Sequence, residues 1–146
     1  MESVASVAAP VEFQLPVPPS SNRWWRMITI GGKHKPRRTQ MVLSAEAKIY
    51  KEETAKRLLV ELRGRGYRAL PLFPTGPVGI TIAWHRTKRL GDLDKRVPII
   101  LDALQGTVYA NDNQLVDIHA SLHESAVGDY LHVGVWAAGA RQEPLL

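Results

Sequence analysis

A chain of 146 residues, 45% of them hydrophobic, has the size of one domain and enough apolar material for a core, which excludes a disordered chain. No apolar run approaches the roughly 20 residues needed to cross a bilayer. No charged segment followed by an apolar one marks a secretory leader, so a cytoplasmic setting is expected, and without cysteine both disulfides and thiolate-bound zinc are excluded. The formal net charge of +5 favours a polyanionic partner, nucleic acid before anionic membrane.

Residues 1–10 are small and mixed and read as a flexible N-terminus. In VEFQLPV, Val11, Phe13, Leu15 and Val17 alternate with Glu12 and Gln14, the pattern of a strand. Pro18 and Pro19 break regular structure in PPSSNRWWR, MITI reads as a short strand, and GGKHKPRRTQ as a flexible, Gly-led basic loop carrying Lys33, Lys35, Arg37 and Arg38. Ser44 predicts the cap of a helix reaching about Arg63. Ala55, Leu58, Leu59 and Leu62 are its apolar stripe, Glu52–Lys56 and Glu53–Arg57 its wet-side pairs, and Gly64 and Gly66 its end. YRALPLFPTGP is a connector. VGITIAWHR is the clearest strand, with Val78, Ile80, Ile82 and Trp84 on one face.

After GDLD, the spacing of Val97, Ile100, Leu101 and Leu104 predicts an amphipathic helix ending at Gly106. Pro98 suits only a helix start, so regular helix is expected from about Val97 or Pro98. VYANDNQ is a turn. LVDIHASLHE alternates again, with Val116, Ile118, Ala120 and Leu122 expected on the core side, and YLHVGVWA is expected to pair with it after a turn at Gly128 and Asp129. Residues 139–146 read as a tail. There is no repeat and no second domain. The expectation is an α+β fold over 11–138: a single compact domain, a mixed β-sheet packed with two main helices.

Asp92 and Asp94 stand two apart, and in an extended segment such side chains point the same way. Two carboxylates so close repel unless a cation lies between them, and a hard divalent ion such as Mg²⁺ takes one or a few carboxylates plus water and phosphate. Asp112 could close the cluster if the two segments pack side by side. D-x-D is not a specific pattern, and from spacing alone the same acids read more readily as a helix cap (Asp94), a solvated loop acid (Asp92) and a turn residue (Asp112). Asp102 reads as a buried hydrogen-bonding acid and Asp117 as a solvated one. His119 and His123 are about 13 Å apart at strand rise, too far for one metal, and with His132 read as surface residues. No Ser-His-Asp set, Walker loop or H-E-x-x-H is present.

PVPPSSNRWWR, GDLDKRVPIILDALQG and VYANDNQLVDIHASLHE together resemble the RusA family of phage- and prophage-encoded Holliday-junction resolvases. Its pattern is D-x-D-N-x-x-K-x-x-x-D-A-L followed by D-D-x-Q-[VI], and the resemblance runs from about Val11 to Trp136. It implies a homodimeric endodeoxyribonuclease that uses Mg²⁺, with Mn²⁺ as a substitute, to place paired symmetric nicks in four-way DNA junctions during recombination and repair. The implied setting is a bacterial or phage-infected host cell, with branched DNA as partner and with neither a membrane nor a small-molecule cofactor. The catalytic and metal-binding acids it implies are Asp92, Asp94 and Asp112, with Asp102 as structural support.

The chain departs from that pattern at Lys95 (Asn in the family), Asn111 (Asp) and Pro98 (Lys). Lys95 lies three residues before Pro98, about 4.5 Å along a helix, and is expected to replace the lost charge as a catalytic residue; the alternative is a surface lysine and weak or absent activity. Expected DNA-binding residues are Asn22, Arg23 and Arg26 in the N-terminal motif, Lys33, Lys35, Arg37 and Arg38 in the basic loop, and Arg86, Lys88 and Arg89 before the acids. Taken singly, each reads more readily as a solvated surface charge. Trp24 and Trp25 suit base stacking or a core or dimer contact. The rival functions are a branched-DNA nuclease of looser specificity, a catalytically impaired junction binder, and a basic adaptor whose acids are only caps and turns.

Overall fold

A computed structural model describes residues 9–20, 23–89 and 91–140. The strands are β1 (Val11–Leu15), β2 (Trp25–Gly32), β3 (Lys35–Leu43), β4 (Val78–Arg86), β5 (Leu115–Glu124) and β6 (Tyr130–Ala137), and the helices are α1 (Ala45–Gly64) and α2 (Leu93–Leu104). Four strands form a mixed sheet in the order β1-β6-β4-β5, antiparallel except for the parallel pair β4/β5. The single domain is α+β, as expected, with both helices contributing to one core. Phe13, Leu15, Ile80, Ile82, Trp84, Leu131, Val133 and Val135 face Leu58 and Leu62 of α1 and Ile100 and Leu104 of α2. The expected flexible start and tail lie largely outside the described residues.

Sequence signals account for most of these elements. Ser44 caps α1, its hydroxyl accepting from the Ala47 N–H at 3.1 Å, and Gly66, with φ of +100°, follows the helix end in the left-handed region. On the sheet face away from the helices, His123, His85 and Tyr130 lie level on three neighbouring strands. They stack ring on ring, with centroids 4.8 and 4.5 Å apart.

The structure corrects four expectations. The basic loop is a strand: β2 and β3 pair from Trp25–Leu43 to Gly32–Lys35 as a hairpin of their own. The last strand, β6, pairs with β1 and β4 and not with β5, because the connection through α2 returns β5 parallel to β4 and leaves the other side of β4 for β6. Helix α2 starts at Leu93, so Pro98 is its sixth residue. The first turn closes through the Lys95 N–H to the Asp92 carbonyl at 3.2 Å, and only the bond that position 98 would give the Asp94 carbonyl is lost. Finally, β5 is an edge strand whose apolar residues stay open, Val116 at 63% and Ile118 at 45% exposure, though Ile118, Ala120 and Leu122 sit level with core-facing Ile80, Ile82 and Trp84.

Candidate active site

The Gly91–Lys95 corner joins β4 to α2. Gly91 has φ of +95°, and a Cβ there would come within 2.7 Å of the Trp84 ring, so the turn requires glycine twice over. Asp92 occupies the cap position of α2 in an extended conformation but makes no side-chain capping bond, which leaves its carboxylate free for other partners. Its neighbour is Lys95, Nζ to Oδ2 at 3.7 Å. Asp94 is exposed in the first helical turn, where a negative charge is favourable. Because Asp94 is helical, the alternation that would aim both acids the same way along an extended segment does not apply.

Two arginines hold this corner. Arg86 lies 5.6 Å from the Trp84 ring centroid and donates to the Gly91 carbonyl at 2.9 Å. Arg96 lies 5.2 Å from the same ring and donates to the Pro18 carbonyl at 3.0 Å, tying the N-terminal segment to the start of α2. Burial lowers the Arg96 pKa, and the nearby Asp92 charge works in the opposite direction. The sequence reading missed Arg96; its only signal was a basic residue two places after the acids.

Asp112 belongs to a different place. It opens a short 3₁₀ turn, Asp112–Gln114, built by two glutamines the sequence reading also missed. Gln105, just past α2, accepts from the Asp112 N–H at 3.1 Å. Gln114 accepts from the Asn111 N–H and donates to the Phe73 and Gly76 carbonyls at 3.0 and 2.9 Å. Asp112 therefore sits by the C-terminal end of α2, and Asp92 and Asp94 by its N-terminal end. The twelve residues of the helix lie between Asp92 and Gln105, about 18 Å. Among the described residues no three or more metal-ligating side chains gather. The expected cluster of three acids does not form within one chain, since β4, α2 and β5 run up, down and up and place the two connecting segments at opposite ends.

The remaining candidates are scattered. Asp102 is not buried: it pairs across the helices with Lys51 at 3.4 Å, its side chain 41% exposed. Asp117 pairs with His119 at 2.9 Å. Arg86, Lys88 and Arg89 line an open groove of about 430 Å³ with His123 and Glu124, and Arg89 reaches Glu124 at 3.5 Å. Arg23 is 4.0 Å from Glu46, and Arg26, Lys33, Lys35, Arg37 and Arg38 all lie on the hairpin. Asn22 lies outside the described residues. Trp24 is buried edge-on to Tyr50, a core contact, while Trp25 is 47% exposed.

The corner is an exposed pair of acids in basic surroundings, on a small α+β domain with net positive charge. The family model for Endodeoxyribonuclease RusA matches residues 15–136, and the chain belongs to that family of junction-resolving endonucleases. No curated protein matches it. Among the described residues, no helix is long and apolar enough to cross a membrane.

Proposed function

We propose that the chain is a Mg²⁺-dependent Holliday-junction resolvase that works as a homodimer, each active site combining Asp92 and Asp94 of one copy with Asp112 of the other. The observation that carries this reading is the placement of the acids at opposite ends of α2. If the three act on one phosphate, they come from two chains. A two-fold axis that sets α2 antiparallel to its mate brings the N-terminal end of each beside the C-terminal end of the other. The exposed apolar residues of β5, Val116, Ile118 and Leu122, give such a pair something to bury.

The donors suit the ion. Carboxylate oxygens without internal capping bonds are hard ligands, and Mg²⁺ needs only one to three of them beside water and phosphate. Asp92, Asp94 and the second copy's Asp112 would hold it, and when bound it supplies positive charge and a water of lowered pKa. Lys95 neutralises the scissile phosphate from the position its contact with Asp92 already gives it. Arg86, Lys88 and Arg89 hold the flanking backbone. The paired symmetric nicks follow from two such sites on one two-fold axis.

Subunit mixing tests this. Asp94→Asn and Asp112→Asn proteins are each expected to bind a labelled four-way junction and not nick it. Co-refolded, half of the dimers are hybrids carrying one intact site, so nicking returns to about one quarter of wild type, one strand at a time. No recovery in verified hybrids removes the shared site. A wild-type protein that binds junctions without nicking in Mg²⁺ or Mn²⁺ would instead favour the impaired binder, with Pro98 marking the lost lysine; equal rates on flaps would favour the looser nuclease.

A further inference from the structure

We infer that the β2–β3 hairpin is a DNA arm, a two-stranded ribbon that enters the major groove of one junction arm away from the site of cutting. The inference rests on the proposed reading only in taking the partner to be DNA.

Charge carries it furthest. Between Trp25 and Leu43 the chain holds five cations, Arg26, Lys33, Lys35, Arg37 and Arg38, and no acid. The whole chain has 19 lysines and arginines against 14 acids. Removing the five leaves fourteen against fourteen, so the entire positive balance of the protein resides in this hairpin.

Shape agrees. The hairpin strands pair with each other and with no strand of the main sheet. Every residue from Lys33 to Met41 is exposed. The base is fixed: Trp24 and Leu43 pack with Ala47, Tyr50, Ile99 and Ala103, and the Ser44 N–H donates to the Trp24 carbonyl at 2.9 Å. The eight residues of β2 reach about 26 Å at strand rise, and a groove roughly 12 Å wide admits a two-stranded ribbon. A bulge between Ile30 and Gly32 twists the end, where Gly31, with φ of +93°, lies so close to the Pro36 carbonyl that a Cβ would meet its oxygen at 2.2 Å. Lys33 and Lys35 flank the tip, and Arg37 and Arg38, adjacent on β3, point to opposite faces, toward the two phosphate rims of a groove.

The test uses the full-length chain, a four-way junction with long arms, and a variant with Lys33, Lys35, Arg37 and Arg38 all changed to Ala. Dimethyl sulfate protection of guanine N7 reports the major groove. Wild type is expected to protect N7 positions along an arm; the variant, with unchanged melting and unchanged dimer mass, loses that protection, and the slope of log K against log[salt] falls by about 3–4. Retained protection with a slope change below about 1 overturns the inference. So does a variant that elutes as a monomer where wild type elutes as a dimer, since the ribbon then grips the second copy. Protection by wild-type protein that never nicks the junction in Mg²⁺ or Mn²⁺ leaves the arm standing and removes the resolvase reading alone.

Discussion

Arg96 does several jobs at once: it covers Trp84, pins Pro18 and sits beside Asp92. Arg96→Ala is expected to destabilise the fold by about 1–3 kcal/mol, read by denaturant unfolding, because a cation–π contact and a charged hydrogen bond disappear together. The variant is also expected to nick slowly after refolding is complete, since the corner carrying Asp92 loses its brace. Titration follows from two other residues. Burial lowers the His85 pKa, with the nearby His123 and His132 adding to the effect. Unfolded chains take up that proton near pH 6.5 while folded ones resist it, so the contribution is complete above about 6.5 and is lost as the pH falls through the lower folded value. Asp129 accepts from the Thr87 N–H at 3.0 Å and its hydroxyl at 2.9 Å, which lowers its pKa. That contribution holds above the ordinary aspartate value and fades in more acidic solution. Thermal melts between pH 8 and 5 isolate the histidine effect, and His85→Phe is expected to flatten it while keeping a ring in the stack.

At the scale of elements, Gly31→Val is expected to unpair the hairpin tip without changing the global melting point, because the clash is confined to Pro36 across the bulge; amide exchange at Ile30 and Arg38 checks it. Gly79→Ala is different, for its Cβ would lie 2.3 Å from the Trp136 ring in the middle of the main sheet, and a loss of about 1–3 kcal/mol is expected. These elements also show what the sequence made legible. β4 and α1 were readable because period-two and capping signals are local. β3 was not, because Lys-Pro-Arg-Arg-Thr-Gln has no apolar alternation and is held by pairing with β2 alone. The start of α2 was misread by giving Pro98 more weight than a single missing hydrogen bond carries.

At the scale of the whole molecule, the acids were legible one by one as a dense local pattern, but their relation was not. Whether Asp92 and Asp112 meet depends on the direction in which β5 returns, which is a property of the sheet order and leaves no mark in residue spacing. The proposed dimer makes activity depend on chain concentration: below the dimer dissociation constant, nicking per chain is expected to fall in proportion to concentration, and a dilution series with subunit mass measured alongside checks it.

In the proposed dimer, helix α2 would act as a ruler. In an antiparallel pair its two ends mark the two cutting centres, so their spacing is the helix length, about 18 Å, close to the width of a DNA duplex. The distance between the two strands being cut would be written in the number of helical residues between Asp92 and Gln105. Lengthening α2 by one turn would move the centres apart by about 5.4 Å and uncouple the two nicks while leaving each centre's chemistry in place.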